Sequence, residues 1–356
     1  MRAQSRLACL GVVVGLFGCG GGGGGGGTLA SGTGGAGDAP GGGGTGGAGV
    51  PDAASATDGA TTPGACVAGS GASTRRLRIY VAGESIEERN RFVAPPFACD
   101  GTLNERGGGD ARNDNDEYGW MVPLADRLAL RAPGLVVEFV GASPWGGADD
   151  EPYSGSYPST TPGRTSAIAG TDISAWLDEG SHDRNIPARR AELEQKVHCY
   201  DLAIAARGGN DLNQEVADAD YKGRLAQLVR LLLDGSQCRT DPLVLVTAHL
   251  PDRADVAGQD RLFGRLSREV VDELKADASL PEAKRARIQH VDVYGAFKAN
   301  RPTTSMPAPR FWTGDTFDLG LLGRQGDTLH PRRLASIYAG EVVADALDLG
   351  ALPTGN

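Results

Sequence analysis

The sequence predicts an α/β fold, a three-layer α/β/α sandwich doubly wound around about five parallel strands. Two patterns carry that expectation. Five short apolar runs are nearly continuous, which suits strands covered on both faces. Stretches of helical periodicity separate them, and right-handed crossovers then place helices on both sides of one sheet. The first run, Leu77–Ala82, precedes a periodic stretch at Tyr118–Arg131, and the second run, Leu135–Val140, follows at once. Periodicity resumes over Ile186–His198, ahead of the third run at Asp201–Ala206. Tyr221–Leu233 reads as a helix, Leu243–Ala248 as the fourth strand, and Gln259–Asp277 as a long helix. Ile288–Val293 gives the fifth strand, and Leu334–Leu347 a closing helix. Ligands of such sheets bind beyond the carboxyl ends of the strands.

The amino terminus reads as an address. Arg2 and Arg6 precede an apolar run from Leu7 to Phe17, too short to span a bilayer as a mature helix, so residues 1–18 read as a signal peptide. Leu16-Phe17-Gly18-Cys19 resembles a bacterial lipobox, which implies lipidation at Cys19; an ordinary secretory signal is the alternative, because Phe17 is bulky for its position. The expected location is the cell envelope as a lipoprotein, at the outer membrane or cell surface, and otherwise extracellular. Residues 19–74 are mostly Gly, Ala, Ser and Thr without Lys or Arg, which reads as a flexible tether. Residues 75–350 form the folded domain, and the membrane is a partner through the lipid anchor alone.

A formal net charge of -10 argues against nucleic acid as a partner. Once the signal and Cys19 are set aside, Cys66, Cys99, Cys199 and Cys238 remain, an even number that suggests two disulfides in an exported chain. Cys199 and Cys238 each precede a strand at the amino-terminal edge of the sheet, so the favoured pairing is Cys199–Cys238, leaving Cys66–Cys99. Neither a Cys-x-x-Cys pair nor a Cys/His cluster supports zinc, and neither a metal nor a cofactor is expected. Asp110–Asp116 is rich in oxygen ligands but lacks EF-hand spacing, and reads as a solvated loop within an unusually long passage, 87–117.

Three segments carry the chemistry. Gly83-Glu84-Ser85 follows the first strand, Gly208-Gly209-Asn210-Asp211 follows the third, and Asp327-Thr328-Leu329-His330-Pro331 lies between the fifth strand and the last helix. A doubly wound sheet gathers all three on one edge. A hydroxyl nucleophile, an amide donor and a carboxylate-oriented imidazole are what acyl transfer needs near neutrality. Ser85 is the candidate nucleophile, His330 the general base and then acid, and Asp327 its orienting carboxylate, folded back on the ring by a turn. Asn210 and the Ser85 N–H are candidate oxyanion donors. Gly163 is the third, with Gly141 as its rival, and Asp211 secures the loop. His198 and His290 read as structural, His182 as solvated, and His249 as a candidate pocket residue. No Gly-x-Ser-x-Gly elbow occurs, which excludes the usual α/β-hydrolase arrangement.

These residues in this order resemble the SGNH (GDSL-like) hydrolase superfamily across the whole folded domain. Val137-Glu138-Phe139-Val140-Gly141, followed after a loop by Pro162-Gly163-Arg164-Thr165, is similar to carbohydrate esterase family three, where a Pro-Gly turn opens a helix. The resemblance implies a flavodoxin-like sheet and a serine esterase releasing acyl groups, most simply acetyl, from a carbohydrate or small ester. Glu84 departs from the usual Asp; in the family that acid organises the turn through backbone hydrogen bonds. Trp145, Tyr153, Tyr157 and Trp312 offer aromatic faces for a sugar ring. Two other readings stay open: a general carboxylesterase or lipase of this fold, and a glycan-binding lipoprotein that has lost turnover.

Overall fold

The computed structural model describes residues 75–84, 96–103, 119–144, 164–168, 171–177, 189–248, 250–251, 256–318, 323–324, 327–350 and 352, with the backbone alone for 143–144, 175, 323–324 and 327–331. The chain divides into two units, Met1–Asp58 and Gly59–Asn356, and every described residue belongs to the second.

Its strands in chain order are β1 (Arg75–Ala82), β2 (Leu135–Val140), β3 (Ser143–Pro144), β4 (Arg164–Thr165), β5 (Leu202–Arg207), β6 (Leu243–Ala248), β7 (Ile288–Val291), β8 (Trp312–Thr313), β9 (Thr316–Phe317), β10 (Gly323–Arg324) and β11 (Asp327–Pro331). Five of them form the central sheet in the order β2-β1-β5-β6-β7, every neighbouring pair parallel. This is the doubly wound order expected from the sequence. The remaining strands make short antiparallel pairs, β3 with β4, β8 with β9 and β10 with β11.

The apolar runs explain the layering. Every residue of β5 and β6 is buried, as strands covered on both faces require. Met121–Arg131 packs against Arg333–Ala346, while Asp218–Asp234 and Ser267–Ala276 pack together and contact strands β5 to β7. Stacked Tyr80 and Tyr200 join β1 to the entry of β5, with Trp176 edge-on to Tyr80.

Local expectations meet three corrections. Of the helix expected over Ile186–His198, the described part is a short turn at Arg190–Glu194. The chain leaves that helix through Lys196, whose φ of 51° is left-handed, and Val197 beyond it is exposed. The expected long helix at 259–277 is a composite: α-helix over Val256–Gln259, π-helix over Asp260–Leu266, then α-helix over Ser267–Ala276. Arg164–Thr165, which follows the Pro-Gly pair that opens a helix in the family the chain resembles, pairs instead with Ser143–Pro144, and the next described helix starts at Ile173.

Asp201 stops just short of β5 and ties the amino-terminal edge together. Its carboxylate accepts from the Arg78 amide at 3.0 Å and from Arg239 Nε at 2.7 Å. Beside it, Cys199 and Cys238 form the favoured disulfide. Cys99 is also disulfide-bonded, while Cys66, its expected partner, lies outside the described residues.

Candidate active site

β1 and β5 lie side by side with Ala82 opposite Ala205, so their carboxyl ends deliver Gly83-Glu84 and Gly208-Gly209-Asn210-Asp211 to one place. Glu84 is 1% exposed there. Burying a carboxylate is costly unless donors surround it, and this one has several. The Gly208 N–H donates to Oε1 at 2.7 Å. The Asn210 N–H and its Nδ2 donate to Oε2 at 3.0 and 2.7 Å. The acid of the first segment thus organises the backbone of the second, with Glu in place of the Asp that the resemblance implies. An amide nitrogen carries two hydrogens, so Asn210 Nδ2 keeps one beyond its bond to Glu84.

Gly208 makes this approach possible. Its φ of 129° is a conformation L side chains rarely adopt, and a Cβ there would meet the Phe263 ring at 3.0 Å and Tyr221 Oη at 3.3 Å. The helical turn Gly209–Asn213 follows directly.

A second buried charge sits behind the carboxylate. Arg207, the last residue of β5, is 1% exposed. Its Nη1 donates to the Gly83 carbonyl at 2.6 Å and its Nη2 to the Thr171 carbonyl at 2.8 Å. Its Nε lies 3.9 Å from Glu84 Oε1, and the guanidinium stands 5.9 Å from the centre of the Trp176 ring.

Asp211 is fully buried, and its Oδ1 accepts the Ile173 N–H at 3.3 Å. That bond secures the loop, as expected of this residue. Burial pushes its carboxyl up to about 7; Arg207 opposes the rise, while Glu84 and Asp172 add to it. Among the described residues, Asp211 Oδ2, Tyr221 Oη and Trp176 Nε1 have no hydrogen-bond partner. Burial also raises the Tyr221 phenol well above its usual range, helped by Asp211 and Glu84.

The other candidates fall as follows. Ser85, Gly163, His182, His249, Trp145, Tyr153, Tyr157, Cys19 and most of 87–117 lie outside the described residues. Asp327 and His330 stand in β11, which pairs with β10 through a register shift: the adjacent Gly323 and Arg324 face Pro331 and Asp327, four residues apart, so the backbone departs from a regular ladder between them. Pro331 closes that strand, and the helix begins two residues later at Arg333. Gly141, the rival oxyanion glycine, lies so close to the Thr165–Ser166 backbone that a Cβ would sit 2.3 Å from the Thr165 carbonyl carbon. It is a contact point between β2 and β4. His198 Nε2 lies 3.2 Å from Glu192 Oε2 and its ring packs on Tyr80, while His290 Nε2 faces Ser267 Oγ at 3.2 Å. Both imidazoles are held by neighbouring side chains, in keeping with the structural reading of these residues. Trp312 is pinned by the Asn300 side chain through its N–H and its carbonyl, with its ring against Phe317 and Lys298.

Sequence reasoning missed Arg207. The signal was present: an arginine ends an otherwise apolar strand and directly precedes the two glycines.

No family model and no curated protein matches the chain. Among solved structures it is similar to a carbohydrate esterase family 3 protein from Talaromyces cellulolyticus, at 12% identity and a TM-score of 0.47, covering 76% of this chain and 95% of that one. An acetyl esterase mutant with acetate ion gives 13% identity and a TM-score of 0.47 over the same shares. A putative arylesterase from Agrobacterium tumefaciens str. C58 gives 17% identity and a TM-score of 0.39, covering 76% of this chain and 97% of that one.

Proposed function

We propose that the chain is an exported SGNH-type serine esterase, lipid-anchored through Cys19, that removes acyl groups, acetyl foremost, from a carbohydrate. The observation that supports this most is the bridge from Glu84 to Gly208 and Asn210. It locks the residue immediately before Ser85 onto the loop carrying the amide donor.

In this mechanism Ser85 Oγ attacks the ester carbonyl as His330 takes its proton, and Asp327 stabilises the imidazolium. The developing oxyanion is met by the Ser85 N–H, the remaining Asn210 Nδ2 hydrogen and the Gly163 N–H. His330 then protonates the departing sugar oxygen. Water, deprotonated by the same imidazole, releases the acid and restores Ser85.

Acetate release from acetylated xylan, chitin oligomers and small aryl esters tests the reading. Release by the wild type and its loss in Ser85→Ala support it. Hydrolysis unchanged in Ser85→Ala removes Ser85 as nucleophile and the mechanism with it.

A further inference from the structure

Arg207 has no assigned part in the chemistry, yet its surroundings are those of a built device. A guanidinium removed from water is costly unless it is paired and hydrogen-bonded. Here Nη1 and Nη2 are hydrogen-bonded to carbonyls that flank the candidate site, and Nε, without a hydrogen-bond partner among the described residues, faces Glu84 as an ion pair. The Gly83 carbonyl lies two residues before Ser85 and also accepts the Ile168 N–H at 3.3 Å. The Thr171 carbonyl immediately precedes Asp172 and the helix Ile173–Leu177, whose first amide binds Asp211. Glu84, 3.9 Å from Arg207 Nε, holds Gly208 and Asn210. One planar fork therefore touches the carbonyl ahead of the nucleophile and the loop entering that helix, and lies beside the carboxylate that fixes the amide donor.

We propose that Arg207 is a positioning residue for the ester-hydrolysing site: with Glu84 it forms a buried ion pair that sets where Ser85 and Asn210 stand relative to each other. The pair explains why Glu is accommodated where the resemblance implies Asp. The longer acid reaches the amides of Gly208 and Asn210, and the guanidinium beside it offsets the buried negative charge. A merely space-filling residue at the end of β5 would need neither charge nor two donors. Lys would keep the charge but lose the planar fork, because an ammonium is a point charge.

This inference rests on the esterase reading, and the experiment separates the two. The full chain and its Arg207→Lys, Arg207→Gln, Glu84→Gln and doubly substituted Glu84→Gln/Arg207→Gln variants are compared for hydrolysis of an aryl acetate, with thermal unfolding in parallel. The expected result for folded Arg207→Lys is a fall in kcat of about tenfold to a hundredfold, the scale of a small misplacement of reacting groups, with KM within about twofold. The losses in the two Gln variants should not multiply, because both break one unit. A folded Arg207→Lys with wild-type kcat overturns the proposal, as do Gln losses that multiply. Should Arg207→Lys fail to fold, Glu84→Gln decides: a loss of kcat at constant KM supports the pair, and unchanged kcat overturns it. A wild type without ester hydrolysis overturns the esterase reading and this inference together, whereas an active wild type matched by Arg207→Lys overturns the role of Arg207 alone.

Discussion

Replacing Asp211 by Asn gives the sharpest thermodynamic test of the buried cluster. The carboxyl is fully buried and its affinity for protons is raised from 3.8 to about 7, first by loss of water and then by Glu84 and Asp172, against the opposing charge of Arg207. In the unfolded chain the same group titrates near its ordinary value. Between about pH 4 and pH 7 the folded state therefore holds a proton that the unfolded state has released, so stability falls as pH rises through this window. The difference between 3.8 and about 7 amounts to ~4 kcal/mol, reached once pH exceeds the folded value. The substituted amide keeps an acceptor for the Ile173 N–H but has no charge to bury. Urea unfolding of both proteins across this range measures the effect. The Asp211→Asn variant should match the wild type near pH 4 and gain on it progressively, by several kcal/mol at about pH 8. Parallel stability curves for the two proteins would refute the buried, proton-holding Asp211.

Further outcomes follow from other parts of the site. Asn210→Ala should lower kcat by about a hundred- to a thousandfold while changing KM little; a loss confined to KM removes Asn210 from the oxyanion role. Gly208→Ala should destabilise the fold by about 1–2 kcal/mol for the left-handed backbone alone, before the contact with Phe263, and an unchanged urea midpoint contradicts the strain argument. Replacing Cys199 and Cys238 together by Ser should cost about 4 kcal/mol, given the 39-residue separation they close. Urea midpoints of oxidised wild type and double variant give that figure, and coincident midpoints exclude a stabilising crosslink.

Much of the sheet was legible because each strand is short and most carry a nearly continuous apolar run. Leu135–Val140 and Leu243–Ala248 match their expected bounds, and the others differ at their ends. Asp201, expected to begin the third strand, instead uses its carboxylate to cap the edge, and apolar counting does not see hydrogen bonds. The long helical pattern at 259–277 hid a π-segment, since a shift to i→i+5 bonding barely disturbs side-chain periodicity. The expected turn over Asp327–His330 falls in β11, whose ends pair with β10 through a register shift, a tertiary contact that local preference cannot anticipate. At the site, Glu84 and Asn210 were found by motif. Arg207 was not, because a charged residue closing a buried run is interpretable only once its partners, Gly83 and Thr171, are known to be near.

The chemistry turns on whether one hydroxyl, at the carboxyl end of β1, is abnormally reactive. Treating the full chain with a fluorophosphonate, digesting it and locating the adduct by mass spectrometry measures this directly. The account requires a single phosphonate on the peptide containing Ser85, formed in step with loss of acetate release. An unmodified Ser85 in protein that still hydrolyses acetate esters, or inactivation traced to a different residue, would contradict it.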